Sequence, residues 1–169
     1  EFVVQIDNKP QIQTKADIFQ LSQPEFKEIS TQTTPDGYIA VCKKPSQVMN
    51  LDSKKVLILY AISDPGNLGT IIRTADWFGV QQIILSKDSV DCYNPKVIQS
   101  SMGSISRVAI LYSDDLESSC HKLKQDGFVI TALDIKGDAQ TDSKHTKQAL
   151  LFGSESHGLP DELLSLASN

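Results

Sequence analysis

Two apolar runs of this sequence are each followed at once by a glycine-containing polar segment, the first carrying Asn67 and leading to Arg73, the second carrying Glu155. Asn67 lies within Asp64-Pro65-Gly66-Asn67-Leu68-Gly69, just behind the apolar run Val56-Leu57-Ile58-Leu59-Tyr60-Ala61-Ile62. Asp64-Pro65-Gly66 ends that run, since proline fixes its own φ and glycine accepts conformations closed to other residues. A helix follows, with Leu68, Ile71, Ile72, Ala75 and Phe78 along one face and Gly79 as its C-terminal cap. Asn67 stands at the mouth of this helix, and Arg73 on a different face from the apolar stripe. Glu155 lies in Gly153-Ser154-Glu155-Ser156-His157-Gly158-Leu159, behind a second apolar run, Ala149-Leu150-Leu151-Phe152. In an open α/β sheet, ligands bind where strands deliver their carboxyl ends. Glycines there let a ligand approach the backbone, whose free N–H groups hold its polar edge. Each segment alone also has a plainer reading: Asn67 caps a helix, Arg73 is solvated, and Glu155 caps a tight turn.

Three other chemistries fit worse. Ser154-x-Ser156-x-Gly158 after a strand imitates a hydrolase elbow, but that triad needs a later acid and then a histidine. No histidine follows Ser156 except its neighbour His157. Gly153-x-Glu155-x-x-Gly158 imitates a dinucleotide fingerprint without its middle glycine, and that motif belongs at the first strand of a fold, not the last. His121, His145 and His157 lack ligand spacing, and Cys42, Cys92 and Cys120 include no Cys-x-x-Cys pair. Neither a metal site nor a disulfide framework is therefore expected. Isolated thiols suit a reducing cytoplasm.

The apolar runs alternate with helical patterns along the whole chain. Strands are expected at Val56–Ile62, Gln82–Leu85, Val108–Leu111, Phe128–Leu133 and Ala149–Phe152. Helices are expected after Pro65, over Asn94–Met102, from Asp114 to Asp126 and over Pro160–Leu166, with a polar loop over Ala139–Lys147. Such alternation predicts an α/β fold, a mostly parallel sheet with helices on both faces. Ahead of it, Glu1–Ile6 and Tyr38–Val41 read as short strands, with polar loop over Asn8–Ala16. Ser22 and Glu25 form a capping box, and Leu21 and Phe26 a hydrophobic staple, for a helix from Gln23 to about Ser30. At 169 residues the chain has room for one such domain but not two full ones. A hydrophobic content of 40% and a charged content of 22% fit a globular protein. No signal peptide or membrane span is read in these residues. The formal net charge of −5 gives no overall attraction for a polyanion, so a nucleic-acid partner would need a local basic patch.

The string from Asp64 to Val80 resembles the first motif of the SpoU (TrmH-type) RNA ribose methyltransferases, within the knotted SPOUT superfamily. The match covers Asp64, Pro65, Asn67, Gly69, Arg73, Thr74, Ala75, Phe78 and Gly79. Gly153, Glu155, Gly158 and Leu159 match the second motif, with Ser156 where a smaller residue is usual. Pro95-Lys96 and Ser101-Met102-Gly103 resemble the Pro-Lys and Ser-x-Gly that lie between those motifs. Residues 1–45 look like the tail of a small ribosomal-protein-like (L30e-like) substrate-binding domain with its linker, ahead of a methyltransferase domain over 46–169. The family's third motif, which threads the knot, is not found in these residues, so the stretch as written is expected to bind cofactor poorly.

The resemblance implies transfer of a methyl group from S-adenosylmethionine to a ribose 2′-hydroxyl of ribosomal or transfer RNA, without a metal, by a cytoplasmic homodimer. It gives catalytic roles to Arg73, Asn67 and Glu155. Leu133, Gly153, Glu155 and Gly158 would bind cofactor, and Lys96 and Ser101 would face the substrate. The plainer reading makes Lys96 a surface charge and Ser101 part of a helix end. A non-catalytic RNA-binding or assembly protein, and a plain nucleotide-binding α/β module, are the rival classes.

Overall fold

The structure, a computed structural model, describes residues 1–45, 48–134 and 146–167. Most of the loop expected over Ala139–Lys147, with His145, lies outside the described residues, as do residues 168–169. The chain divides into two compact units, Glu1–Ser46 and Gln47–Asn169.

In the first unit, β1 (Phe2–Ile6) is the centre of a three-stranded sheet. It pairs in parallel with β2 (Asp17–Leu21) and antiparallel with β3 (Tyr38–Val41). Helix α1 (Gln23–Ile29) begins as its capping box predicts. The backbone N–H and the hydroxyl of Ser22 both donate to the Glu25 carboxylate, at 2.9 and 2.6 Å, and these bonds hold that carboxyl below its usual pKa. Phe26, the second half of the staple, is completely buried. Strand β2 is absent from the sequence reading. Its Phe19 is 54% exposed and none of its residues is buried, so an edge held by one neighbour leaves no apolar run.

The second unit is built on five strands, all parallel, in the order β6-β5-β4-β8-β7. They are β4 (Lys55–Leu59), β5 (Gln82–Ser86), β6 (Ala109–Ser113), β7 (Val129–Leu133) and β8 (Gln148–Phe152). Residues along β4 alternate between two cores. Val56 and Ile58 join Leu116, Cys120 and Leu123 of α4 (Leu116–Gln125) and Leu163 of α5 (Asp161–Leu164). Leu57 and Leu59 join Leu68, Ile72 and Ala75 of α2 (Pro65–Trp77) and Val97 of α3 (Pro95–Ser100). Burying each such valine, leucine or isoleucine side chain contributes about 1.5–3 kcal/mol. This two-sided burial is why the strands read as continuous apolar runs, and it gives the expected sheet with helices on both faces.

Several details differ from the sequence expectations. The first strand ends at Leu59 rather than Ile62, because the chain turns sharply at Ala61, whose φ is +52°. Asp64, not Asn67, caps α2, its carboxylate accepting the Asn67 backbone N–H at 2.7 Å. Phe78 is 67% exposed and leaves the apolar stripe, because Gly79, at φ +71°, turns the chain just beyond it. Helix α3 stops at Ser100; Met102 is already left-handed, at φ +50°, and Gly103 and a single 3₁₀ turn at Ser104–Ser106 follow.

Gly69 has a packing reason. A Cβ there would press on the Ser100 hydroxyl and lie 2.7 Å from the Val97 carbonyl, so only glycine lets α2 and α3 come this close. Gly69→Ala is expected to cost about 1–3 kcal/mol by overpacking, read as a lower denaturation midpoint, and Ser100→Gly in the same chain should return part of that loss. Farther along α2, Asp76 accepts from Arg107 Nε and Nη2 at 2.8 and 2.6 Å, and Arg107 holds its carboxyl below the usual aspartate range. A carboxyl lowered by folding adds stability above its unfolded pKa, near 3.9, and that stability is lost as pH falls through the lower folded value. Asp76→Asn should therefore remove part of the acid-side loss of stability, seen as a shallower fall of melting temperature below about pH 4.

Candidate active site

Strand order decides where polar chemistry is possible. The chain runs from β4 outward to β5 and β6, then returns on the opposite side to form β7 and β8. The loop after β4 leads to α2 on one face, and the loop after β8 leads to α5 on the other. Two adjacent strands whose loops part in this way leave a crevice at their carboxyl ends, the usual ligand position in open α/β sheets. The register aligns the ends as well. Leu59 of β4 pairs with Phe152 of β8, which pairs with Leu133 of β7. Gly153 therefore leaves the sheet beside Tyr60, and the Tyr60 N–H donates to the Phe152 carbonyl at 2.8 Å.

Across this crevice the side-chain amide of Asn67 donates to the Glu155 carboxylate. Each group is fixed from behind. Asn67 sits in the first turn of α2, with its backbone tied to Asp64. Glu155 is carried on a closed loop in which Ser154 and Gly158 exchange backbone hydrogen bonds, at 3.2 Å from Ser154 N–H and 2.9 Å from Gly158 N–H. The His157 N–H donates to Ser154 Oγ at 3.1 Å. The loop needs both its glycines. A Cβ on Gly153 would lie 2.5 Å from the Leu159 backbone nitrogen and collide with the Gly158 carbonyl, and Gly158 itself is at φ +65°. The tight turn read from the sequence is thus present, but Glu155 does not cap it; its carboxylate faces Asn67.

The other expected site residues separate. Leu133 ends β7 47% exposed, beside Phe152. The Lys96 ammonium lies 3.9 Å from Asp64 and stands over the turn that precedes Asn67. Arg73 is exposed and makes no hydrogen bond or ion pair among the described residues; six positions along a helix put it about 9 Å beyond Asn67. The expectation that Ser101 faces the substrate is corrected: Ser101 is completely buried, and its hydroxyl donates to the Ile98 carbonyl at 2.8 Å. Being polar without being exposed, it belongs to the helix end. His157 holds the Ser156 hydroxyl through Nδ1 at 2.7 Å, His121 is exposed, and among the described residues no three acids, histidines or cysteines converge as a metal site. Burial pushes the Cys120 thiol up to about 11, which makes it a packing residue rather than a nucleophile.

Sequence reasoning missed the hydroxyls that hold this edge in place. Ser100 Oγ donates to the Lys96 carbonyl at 2.7 Å and, at 3.4 Å, reaches the Pro65 carbonyl of the motif turn. Ser86 and Ser89 accept the backbone N–H groups of Ala61 and Ile62, at 2.8 and 3.2 Å. Only the placement of small serines at or just beyond the end of a strand or helix signals them, and that is too common a pattern to single them out. Beside the crevice, a cavity of about 330 Å³ opens between the ends of β5 and β6 and the start of α4, lined by Asp88, Asp114, Asp115, Glu117 and Glu162 with Lys87. A second, of about 360 Å³, is almost wholly apolar and runs along α2 and β8 between Ile71, Phe78, Leu150 and Phe152.

The fold and the paired loops define an α/β protein in which two polar loops meet at a sheet switch point. The chain belongs to the SpoU rRNA Methylase family, whose pattern matches residues 54–169. It is 32% identical, over 155 residues, to the 23S rRNA (guanosine(2553)-2′-O)-methyltransferase RlmP of Bacillus subtilis, an alignment covering 90% of this chain and 62% of that one. It is 33% identical over 116 residues to human mitochondrial rRNA methyltransferase 3, covering 64% and 28%. Among solved structures, a TrmH-family protein of Porphyromonas gingivalis superposes with a TM-score of 0.80 at 28% identity, over 99% of this chain and 70% of that one. An AdoMet-bound rRNA methyltransferase of Sinorhizobium meliloti superposes with a TM-score of 0.76 at 26% identity, over 90% and 61%. The chain thus spans about three fifths of its Bacillus relative and just over a quarter of its human one.

If the Asn67–Glu155 bond holds the two loops together, a second carboxylate in place of the amide should part them. Asn67→Asp is expected to release the 153–158 loop, because an aspartate has no amide N–H to donate and sets a second carboxylate against Glu155. Displaced backbone amide chemical shifts of Gly158 and His157 would show it; shifts matching the parent would show that the bond does not hold the loop.

Proposed function

We propose that this chain carries the catalytic domain of an S-adenosylmethionine-dependent RNA methyltransferase acting on a ribose 2′-hydroxyl of ribosomal or transfer RNA. The observation that carries this reading is the Asn67–Glu155 hydrogen bond across the β4–β8 crevice, made by residues of two motifs in a chain of the SpoU family. The names of its relatives support the substrate class. The AdoMet-bound neighbour supports the cofactor.

The carboxyl edge of β7 and β8 suits that cofactor chemically. Leu133 offers exposed apolar surface beside Phe152, and around Gly158 nothing stands within 4 Å of where a side chain would begin, so the backbone is open to a ligand. Leu133, Gly153 and Gly158 would hold the molecule, with Glu155 bracing the loop. When bound, S-adenosylmethionine supplies an electrophilic methyl group and requires no metal. The protein's task is then alignment, which is worth up to ~7–11 kcal/mol, and help for a hydroxyl that is a poor nucleophile. Arg73 cannot be the base, because a guanidinium stays protonated. Its part is to hold phosphate and stabilise the developing alkoxide. Asn67 orients the ribose while its own amide is fixed by Glu155, and Lys96 supplies a second cation for the RNA backbone.

In this reading the protein is a homodimer. Arg73 touches neither Asn67 nor Glu155 among the described residues, which favours a site completed by a second copy. Trp77 and Phe78, 86% and 67% exposed at the end of the same helix, are the apolar surface such a copy would cover. The Glu1–Ser46 unit serves substrate binding, and the thiols Cys42, Cys92 and Cys120 fit a reducing, cytoplasmic setting.

Arg73→Ala in the full-length protein is expected to lower methyl transfer by at least about 10²-fold, the cost of removing one group that stabilises developing charge. Cofactor affinity measured by calorimetry should stay near the parent value. Turnover close to normal would remove Arg73 from the mechanism.

A further inference from the structure

The left-handed turn at Ala61 is the one backbone irregularity between β4 and the motif that carries Asn67. Its surroundings are built around it. After Tyr60 donates to β8, the next two N–H groups have no strand to pair with. The Ser86 hydroxyl accepts the Ala61 N–H at 2.8 Å, and the Ser89 hydroxyl accepts the Ile62 N–H at 3.2 Å. The two hydroxyls lie 3.2 Å apart and bond to each other. Both serines are more than nine-tenths buried. Backbone bonds close the assembly: the Ser89 N–H donates to the Ser86 carbonyl at 3.0 Å, and the Val90 N–H to the Ile62 carbonyl at 2.8 Å. The end of β5 and its following turn thus grip residues 61 and 62 from three directions.

An alanine has no reason of its own to stay at φ +52°; the left-handed region is disfavoured by its Cβ, and single residues persist there only when neighbours over-determine them. Strain held in this way clusters beside functional sites. Here the strained residue lies three positions before the α2 cap Asp64 and six before Asn67. A rotation at Ala61 would swing Asp64-Pro65-Gly66-Asn67 away from Glu155. We propose that Ser86 and Ser89 are positioning residues for the catalytic edge: their hydroxyl pair locks Ala61 left-handed and so sets Asn67 against Glu155. The proposal rests on the methyltransferase reading for its kinetic readout, but its structural readout is independent of it.

The test uses the full-length protein and two measurements, kcat for methyl transfer and the NMR signal of the Asn67 side-chain amide, assigned by its loss in Asn67→Ala. Ser86→Ala/Ser89→Ala should shift that amide signal and lower kcat by at least about tenfold, within the roughly hundredfold that a 1 Å misplacement can cost, with KM for RNA little changed. Adding Ala61→Gly should return much of both, because glycine accepts the left-handed conformation without a clamp. If the double variant does not fold, the single variant Ser89→Ala, compared with and without Ala61→Gly, carries the same contrast. An unmoved amide signal, or equal losses with alanine and glycine at position 61, would overturn the proposal. Should the parent transfer no methyl group, the methyltransferase reading falls while the amide signal still decides the clamp.

Discussion

One side-chain hydrogen bond, from Asn67 to Glu155, joins segments 88 positions apart in sequence. Strands β4 and β8 lie side by side because their apolar residues share two cores, but their loops leave toward opposite faces of the sheet. A sheet covered on both sides thus brings two polar loops to a common edge without fixing either against the other. The bond does the fixing, and it works because each partner is held from behind, Asn67 by the start of a helix and Glu155 by a closed loop. A bond to a carboxylate is among the stronger kinds, about 1.5–3 kcal/mol when shielded and less in the open setting seen here. Its value is therefore orientation more than stability.

The same principle, rigid elements carrying a loosely stabilised edge, explains where serine is used. Ser86 and Ser89, at the end of β5 and just beyond it, accept backbone N–H groups that no strand pairs, and Ser100, at the end of α3, reaches across to the Pro65 carbonyl of α2. A hydroxyl can accept or donate as its surroundings require, so it suits places where strand and turn geometry mismatch. Larger polar side chains would fill the space that Gly69 keeps open between α2 and α3. This edge is consequently dense in small residues.

Much of this was legible from the residues. Strands buried on both faces announce themselves as unbroken apolar runs, and β4, β5 and β8 lie within a few residues of where those runs fall. The Ser22–Glu25 capping box follows from local chemistry alone, whereas the cap of α2 is Asp64 and not the Asn67 read from the sequence. What escaped were features that depend on neighbours remote in sequence. Strand β2 exists because β1 offers it hydrogen bonds. Ser101 looked available because it is polar, yet packing buries it. Phe78 fits the helical period, but the chain turns away one residue later. Arg73 is where helix periodicity puts it, and the distance separating it from Glu155 is a property of the fold that no local string contains.

Charge is the last constraint, and it has a direction. With a net charge of −5, the molecule as a whole does not attract a polyanion. Its acids are not evenly spread, however. Asp88, Asp114, Asp115, Glu117 and Glu162 gather around the cavity on the α4 and α5 side of the sheet, whereas Lys96 and Arg73 stand on the helices of the other side. The separation is partial, since α4 also carries Lys122 and Lys124 and Lys96 is paired with Asp64. For the RNA substrate proposed above, Arg73 on α2 and Lys96 on α3 are the cations carried by the two helices beside Asn67. At physiological ionic strength charges act over about 8 Å, so the local sign near the crevice outweighs the total. An acidic protein can accordingly serve a polyanionic substrate when its cations share the helices that carry the site.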